Sequence, residues 1–560
     1  MKQATDGQDI FLMLKSWANQ FGDEAALKKA DLLRQCAFLP LKKTKLITDY
    51  HQTLIFILTH ADNQEIESLA REELNRICDT VLELPKTKQE ALSRSGIAFT
   101  ETQGTFSLVI MKWLTEQFPD EVSIHSFDEA GIHPKELLKH CLQPLEFEMA
   151  GDETLNKLKW LQKASGLKKS NELLKWLVSE VSHLPLSTAL KEQLFESLKL
   201  YIRIQSVHPQ VSRTYGSIGI SKTYYHTSGL LKKFDERALI HKKLPPAKKL
   251  TEAELRSVQS TARLALILLN REIDPVTHGH PEDICFYELE HGLSIALFSM
   301  TPEMRLPIES YIGFMMFKNG YPMSYGGAWL FGKRSLIGIN IFEAFRGGES
   351  AFVFAQLLRT YKQAFGAEYF EVEPYQFGKN NPEGLRSGAF WFYHRFGFRP
   401  LNEELNGLAE EEHRKIIWQK GYRSSLETLK KFTAGNLGVQ FGKGMEPLNP
   451  RHISHFITHQ ISTFFKGDRH SAYKYGEGLL KKHLRVTSKS LTSKDSEGFK
   501  KLVLFAALCL NLESMNAADK EMLLKLMILK GSDEFYYCRL FHHFPFQKCF
   551  KREILDFKIK

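Results

Sequence analysis

IFEAFRGGESAFVF (341–354) and SGAFWFYHRFGFRP (387–400) decide the reading of this chain. In the first, an apolar strand runs into Arg346-Gly347-Gly348-Glu349-Ser350-Ala351 and then into a helix over 349–365, with Phe354, Leu358, Tyr361 and Phe365 on one face. Such a strand–turn–helix presents the unpaired N–H groups of a helix start to an anion; the glycines allow close backbone approach and Arg346 adds charge. The plainer alternative is a strand-to-helix turn capped by Glu349, a residue the helix dipole favours there. In the second stretch a tyrosine, Tyr393, stands on a short apolar helix (387–394) just before a Gly-Phe entry into a strand from Phe398.

Strands are predicted upstream at 284–289, 293–298, 310–317, 322–330 and 335–342. His291-Gly292, Asn319-Gly320 and Gly332-Lys333 join them. Asn-Gly between apolar runs is a strong hairpin signal because both residues tolerate positive φ. The order is an antiparallel meander, then a helix, a strand at 368–373 and the closing strand. The expected fold class is therefore α+β, a central mixed sheet with a β-α-β crossover, flanked by all-α N- and C-terminal regions.

Read together, the R-G-x-x-x-A turn after a strand and the A-x-x-F-Y-x-x-x-G-F pattern of 389–398 resemble the GNAT acetyltransferase superfamily over roughly 283–400. The resemblance implies an N-acyltransferase that moves an acyl group from acetyl-CoA or another acyl-CoA to an amine. It implies that Arg346, Gly347, Gly348, Glu349, Ser350 and Ala351 hold the cofactor diphosphate. It places the pantetheine arm along Ile339 to Ile341, in a splay between flanking strands, and makes Tyr393 the acid for the leaving thiolate. Glu349 stands where the family commonly has glycine, and its carboxylate is expected to compete with the diphosphate for the turn's N–H groups. Arg386 replaces a common asparagine. Two other readings remain: a non-catalytic ligand-binding or scaffold protein of the same fold, and an aminoacyl-tRNA-using (Fem-type) transferase.

For a general base, Glu371 and Glu373 fall on one face of the 368–373 strand, where an apolar cleft can raise a carboxyl pKa. A solvent-facing pair is the competing explanation, and Glu343 is a third candidate. The glycines of YPMSYGG (321–327) admit a ligand or mark a bulge. His452, His455 and His459 share a helix face, but no acidic or cysteine partner lies near in sequence, and no metal is predicted.

The remaining chain reads as helices, clearest at 65–84 and repeated at 155–164, 170–181 and 188–202, with Thr251 and Glu254 spaced as a capping box and Asn449-Pro450 opening a later helix. Three regions follow: helical 1–250, ending in a basic linker; 251–402, the acyltransferase-like domain; and helical 403–560. At 560 residues the chain exceeds one core. Its net charge of +10 permits nucleic acid without demanding it. The linker 213–249 mixes lysines (Lys232, Lys233, Lys242, Lys243) with tyrosines, a composition that suits a polyanion or a solvated connection. Seven scattered cysteines without a CxxC pair support neither a zinc ribbon nor a disulfide framework. The polar start and the short apolar run at 502–512 predict neither signal peptide nor membrane span, hence a cytoplasmic protein.

Overall fold

The computed structural model describes residues 7–151, 155–442, 449–486 and 491–557, so most of the polar start, residues 1–6, lies outside the described residues. Three short strands come first: β1 (Glu101–Gly104), β2 (Val122–Phe127) and β3 (Leu200–Gln205). Eight more follow as β4 (Gly279–Glu288), β5 (Leu293–Met300), β6 (Ser310–Lys318), β7 (Tyr321–Phe331), β8 (Arg334–Ile341), β9 (Tyr369–Val372), β10 (Arg399–Pro400) and β11 (Leu437–Gln440). The protein is α+β, with mainly helical ends around this central mixed sheet, whose order is β10-β11-β9-β8-β7-β6-β5-β4.

Strands β4 to β8 form the expected antiparallel meander. Its tight turns use the left-handed residues read from the sequence: His291 and Gly292 at φ 58° and 68°, Asn319 and Gly320 at 46° and 84°. The helix Ser350–Phe365 then crosses over, and β9 returns parallel to β8. On that helix Phe354, Leu358, Tyr361 and Phe365 are all buried, and the Tyr361 hydroxyl donates to Ile312 O at 2.7 Å.

Both flanks depart from the all-α expectation. The N-terminal region contains the antiparallel sheet β1-β3-β2. The helical pattern read at 188–202 ends at Ser197; Lys199 takes a positive φ of 47°, and Leu200, Ile202 and Ile204 then alternate inward as a strand. Downstream, β11 comes from beyond residue 402 and inserts between β9 and β10, antiparallel to both. Four residues, LGVQ, are too short to show a period that separates strand from helix.

Two cores result. One joins the first helices (Gly7–Trp17 to Gln64–Glu83), the eight-stranded sheet and the C-terminal helices. The other lies between 106 and 211 around β1–β3. The helix Glu252–Ile267 serves both, with Ala262, Ala265 and Leu266 in the first core and Leu264 and Ile267 in the second. Its capping box, Thr251 with Glu254, forms as spaced.

The segment 213–249 is a strap whose tyrosines pack on their neighbours while much of 227–249, including Lys232, Lys233, Lys242 and Lys243, is exposed. Ile218 N–H donates to Gly320 O, Tyr225 donates to Glu67, and Tyr224 Oη meets His291 Nδ1 at 2.7 Å. Asn319, at the tip of the β6–β7 hairpin, donates from Nδ2 to Thr59 O and Tyr224 O and accepts from Tyr224 N–H, all at 2.9 Å. The C-terminal helices dock through buried Lys530, which donates to Glu534 and Ser310, and through Arg305, which donates to Gly531 O at 2.7 Å. All seven cysteines are free thiols. Among the described residues no helix is long and apolar enough to cross a membrane.

Candidate functional site

The parallel ladder between β8 and β9 is short. It pairs Arg334 with Tyr369, Ser335 with Phe370 and Leu336 with Glu371, and stops there. Beyond Leu336, β8 continues to Ile341 paired only with β7, so the edge facing β9 is released from the ladder over its last residues. The turn 346–351 follows this released end after the 3-10 turn Glu343–Phe345.

Arg346 and Gly347 are exposed, and Gly347 has a positive φ of 76° with no neighbour within 4 Å of where a Cβ would stand. The first backbone hydrogen bond of the following helix runs from Val353 N to Glu349 O, so the preceding N–H groups have no partner within the helix. Arg346 pairs with Glu383 and donates from Nε to Ile341 O at 3.2 Å. Ser350 and Ala351 are half-buried at the helix start.

Glu349 does not occupy this turn with its carboxylate, contrary to the expected competition, nor does it cap the helix. It is buried with its side chain directed inward: Oε2 lies 2.9 Å from Lys318 Nζ and 3.6 Å from His60 Nε2, and Oε1 accepts from Leu231 N–H at 3.1 Å. Burial alone would raise its pKa; the charge and hydrogen bond of the Lys318 ammonium oppose that, and the carboxyl is held below its usual range. Lys318 and the Leu231 N–H thus satisfy the charge, and the carboxylate leaves the N–H groups at the helix start uncovered.

Tyr393 lies on the helix Ala389–Arg395, 3% exposed, against Phe354, Phe377 and Phe398. Burial pushes its phenol above the ordinary range. Its hydroxyl donates to Gln376 Oε1 at 3.1 Å, and the same oxygen accepts from Ile339 N–H at 3.3 Å. Gln376 stands on the short 3-10 turn Pro374–Phe377 after β9 and spans the released space between the strands. The proposed acid and the proposed pantetheine strand therefore meet at one amide side chain.

The two glutamates read as sharing a face of β9 separate. Glu371 is buried and takes a two-pronged contact from Arg334 (Nε and Nη2, each 2.8 Å), with Asn436 Nδ2 at 3.0 Å. It ties β8, β9 and the approach to β11 together. Glu373 falls past the end of β9 with 46% of its side chain exposed, and its nearest cation is Arg451 at 4.0 Å. Glu343 is exposed beside the half-buried Arg213, whose guanidinium lies 5.5 Å from the Phe342 ring; burial lowers its pKa to about 10.

The glycines of YPMSYGG serve internal packing. A Cβ at Gly326 would stand 2.2 Å from Gly338 O, and one at Gly327 would strike the Tyr311 ring, which stacks on Trp329 at 4.2 Å. In the helix Pro450–Phe465, His452 Nε2 meets Ile554 O at 2.9 Å, and His452 and His459 pack on Phe557. Gln376, Arg334, Lys318, His60 and His226 escaped the sequence reading. Lys318, next to the Asn-Gly turn, carried a positional signal; His60 and His226 are too far apart in the chain to carry one.

The chain matches no protein-family model, no curated protein and no solved structure.

Proposed function

We propose that this protein is an acyl-CoA-dependent N-acyltransferase of the GNAT type, transferring an acyl group from a thioester to an amine. The observation that carries the reading is the parting of β8 from β9 after Leu336 and Glu371, on the strand that leads through Glu343–Phe345 to a glycine turn and a helix start whose first N–H groups have no partner within the helix. A strand edge without a partner offers N–H and C=O groups to the amides of a pantetheine arm, and the helix start favours its diphosphate.

In this reading Ile339 and Ile341 pair with the cofactor arm once Gln376 gives way. The turn 346–351 binds the phosphates through its backbone, with Arg346 adding charge. Tyr393 donates a proton or hydrogen bond to the departing thiolate sulfur as the amine nitrogen attacks the thioester carbonyl. Rate enhancement comes chiefly from holding the amine and thioester together. Glu373, exposed at the mouth, takes the proton of the amine; Glu371 is committed to Arg334.

Gln376 also favours a second reading. By bridging Ile339 and Tyr393 it satisfies the groups a cofactor would use, as in a non-catalytic GNAT-fold protein that binds a partner or ligand. Calorimetry with acetyl-CoA on the full chain and on Gly347→Tyr separates the two. A side chain there meets open space but covers the turn, at a backbone cost of about 1–2 kcal/mol. Binding by the wild type that the variant loses supports the enzyme; no binding at millimolar acetyl-CoA or longer acyl-CoA sinks it. Binding without acyl loss to any amine offered leaves the second reading.

A further inference from the structure

Beneath the turn 346–351 three side chains from remote parts of the chain converge. His60 ends the helix Thr44–Thr59, His226 lies in the strap, and Glu349 precedes the helix Ser350–Phe365. One ligand atom from each lies within 4.8 Å of the other two, and all three residues are buried. We propose that His60, His226 and Glu349 form a binding site for one divalent transition-metal ion of the zinc class.

The hydrogen bonds around His60 define its lone pair. Its Nδ1 lies 3.0 Å from Thr59 Oγ1 and 3.2 Å from Phe56 O. A carbonyl only accepts, and the single Thr59 hydroxyl proton has Ile55 O at 2.9 Å as an acceptor. The Phe56 O contact thus favours the ring proton on Nδ1, the tautomer that leaves Nε2 as a lone pair facing Glu349 Oε2 at 3.6 Å. Two acceptors aimed at each other in a dry site repel unless a cation stands between them. His226 Nε2 is likewise buried without a hydrogen-bond partner.

The spacing and the outer contacts agree. Tetrahedral ligands at about 2.0–2.1 Å from zinc stand roughly 3.3 Å apart, close to the His60–Glu349 separation. Zinc-bound histidines commonly donate their other ring N–H to a carbonyl, and ligating carboxylates are themselves hydrogen-bonded. His60 does the first through Phe56 O, and Glu349 the second through Leu231 N–H. Phe56 stacks on His60 at 4.2 Å, and Tyr224 and Phe21 enclose His226. Lys318 neutralises Glu349 in the metal-free protein and opposes any dication. It also donates to His291 O at 2.8 Å, an acceptor it keeps when the carboxylate turns to metal. That opposition selects ions with strong imidazole bonds, zinc, copper or nickel, over magnesium and calcium.

The test uses the full-length chain stripped with a chelator, then loaded with Zn2+ or Co2+. We expect one equivalent of zinc to survive gel filtration, a visible cobalt band of tetrahedral N/O type, and at least tenfold weaker uptake by His226→Gln with an unchanged far-UV spectrum. X-ray absorption on the zinc-loaded wild type should count two imidazole ligands, a result that does not depend on any variant folding. Absence of stoichiometric uptake, fewer than two imidazoles, or equal affinity in folded His226→Gln overturns the proposal.

Discussion

The side-chain oxygen of Gln376 accepts the Tyr393 hydroxyl proton at 3.1 Å while also holding the Ile339 N–H, so one residue ties the proposed acid to the proposed cofactor strand. Replacing it with alanine removes both bonds and opens the space between β8 and β9. Gln376→Ala is expected to bind acetyl-CoA more tightly than the wild type, at a stability loss of about 1–2 kcal/mol for the missing bonds. Calorimetry and urea denaturation on the same preparation check both halves. Unchanged or weaker binding would show that the amide assists the cofactor instead of blocking it.

Glu371 and Glu373 separate by consequence. Breaking the buried Arg334–Glu371 contact leaves an uncompensated guanidinium, and Glu371→Ala should cost about 3–5 kcal/mol in urea denaturation. Glu373→Gln, at an exposed side chain, should change stability by less than about 0.5 kcal/mol. If Glu373 is the base, that variant lowers the turnover number while leaving acetyl-CoA binding unchanged. A large stability loss at Glu373, or none at Glu371, contradicts these placements.

Asn319 combines a left-handed backbone with three hydrogen bonds to Thr59 and Tyr224. Asn319→Ala forfeits the bonds and strains the turn, for an expected loss of roughly 2–4 kcal/mol. Because two of the bonds hold the strap, limited proteolysis should cut near Tyr224 faster in the variant. Equal cleavage rates would mean the strap is anchored elsewhere.

Acid should destabilise the protein before its carboxylates titrate. Burial pushes His51 down to about 3, and burial followed by nearby positive charge pushes His60 and His394 down to about 4. An unfolded histidine titrates near 6.5, so on acidification the unfolded chain takes up protons that the folded one refuses. The stability these rings contribute is therefore complete above about pH 6.5 and is lost as pH falls toward the folded values. Each contributes a slope of about 1.4 kcal/mol per pH unit within that window. Urea denaturation at steps from pH 7 to pH 5 measures it; an unfolding free energy that stays flat refutes the assignment of neutral buried rings.

The meander of β4 to β8, the crossover helix and its buried face were legible because their information is local. Period-two apolar runs, Asn319-Gly320 and the stripe from Phe354 to Phe365 each specify conformation within a few residues. The same local signal misread 188–202, where a left-handed Lys199 separates helix from strand, and passed over the four residues of β11, which become a strand only because β9 and β10 stand ready on either side. The chemistry at the site was less legible still. Glu349 looked like an obstruction to phosphate from its place in the turn, yet its direction depends on Lys318, His60 and Leu231, and no pattern of neighbours in sequence reveals those contacts. Gln376 is likewise ordinary in the chain and decisive only in space. The sequence by itself determined where the chain turns and which faces must be buried, since both follow from backbone preference and the hydrophobic effect. Only the tertiary structure decided which charge answers which, because a buried ion pair is a property of two distant residues brought together.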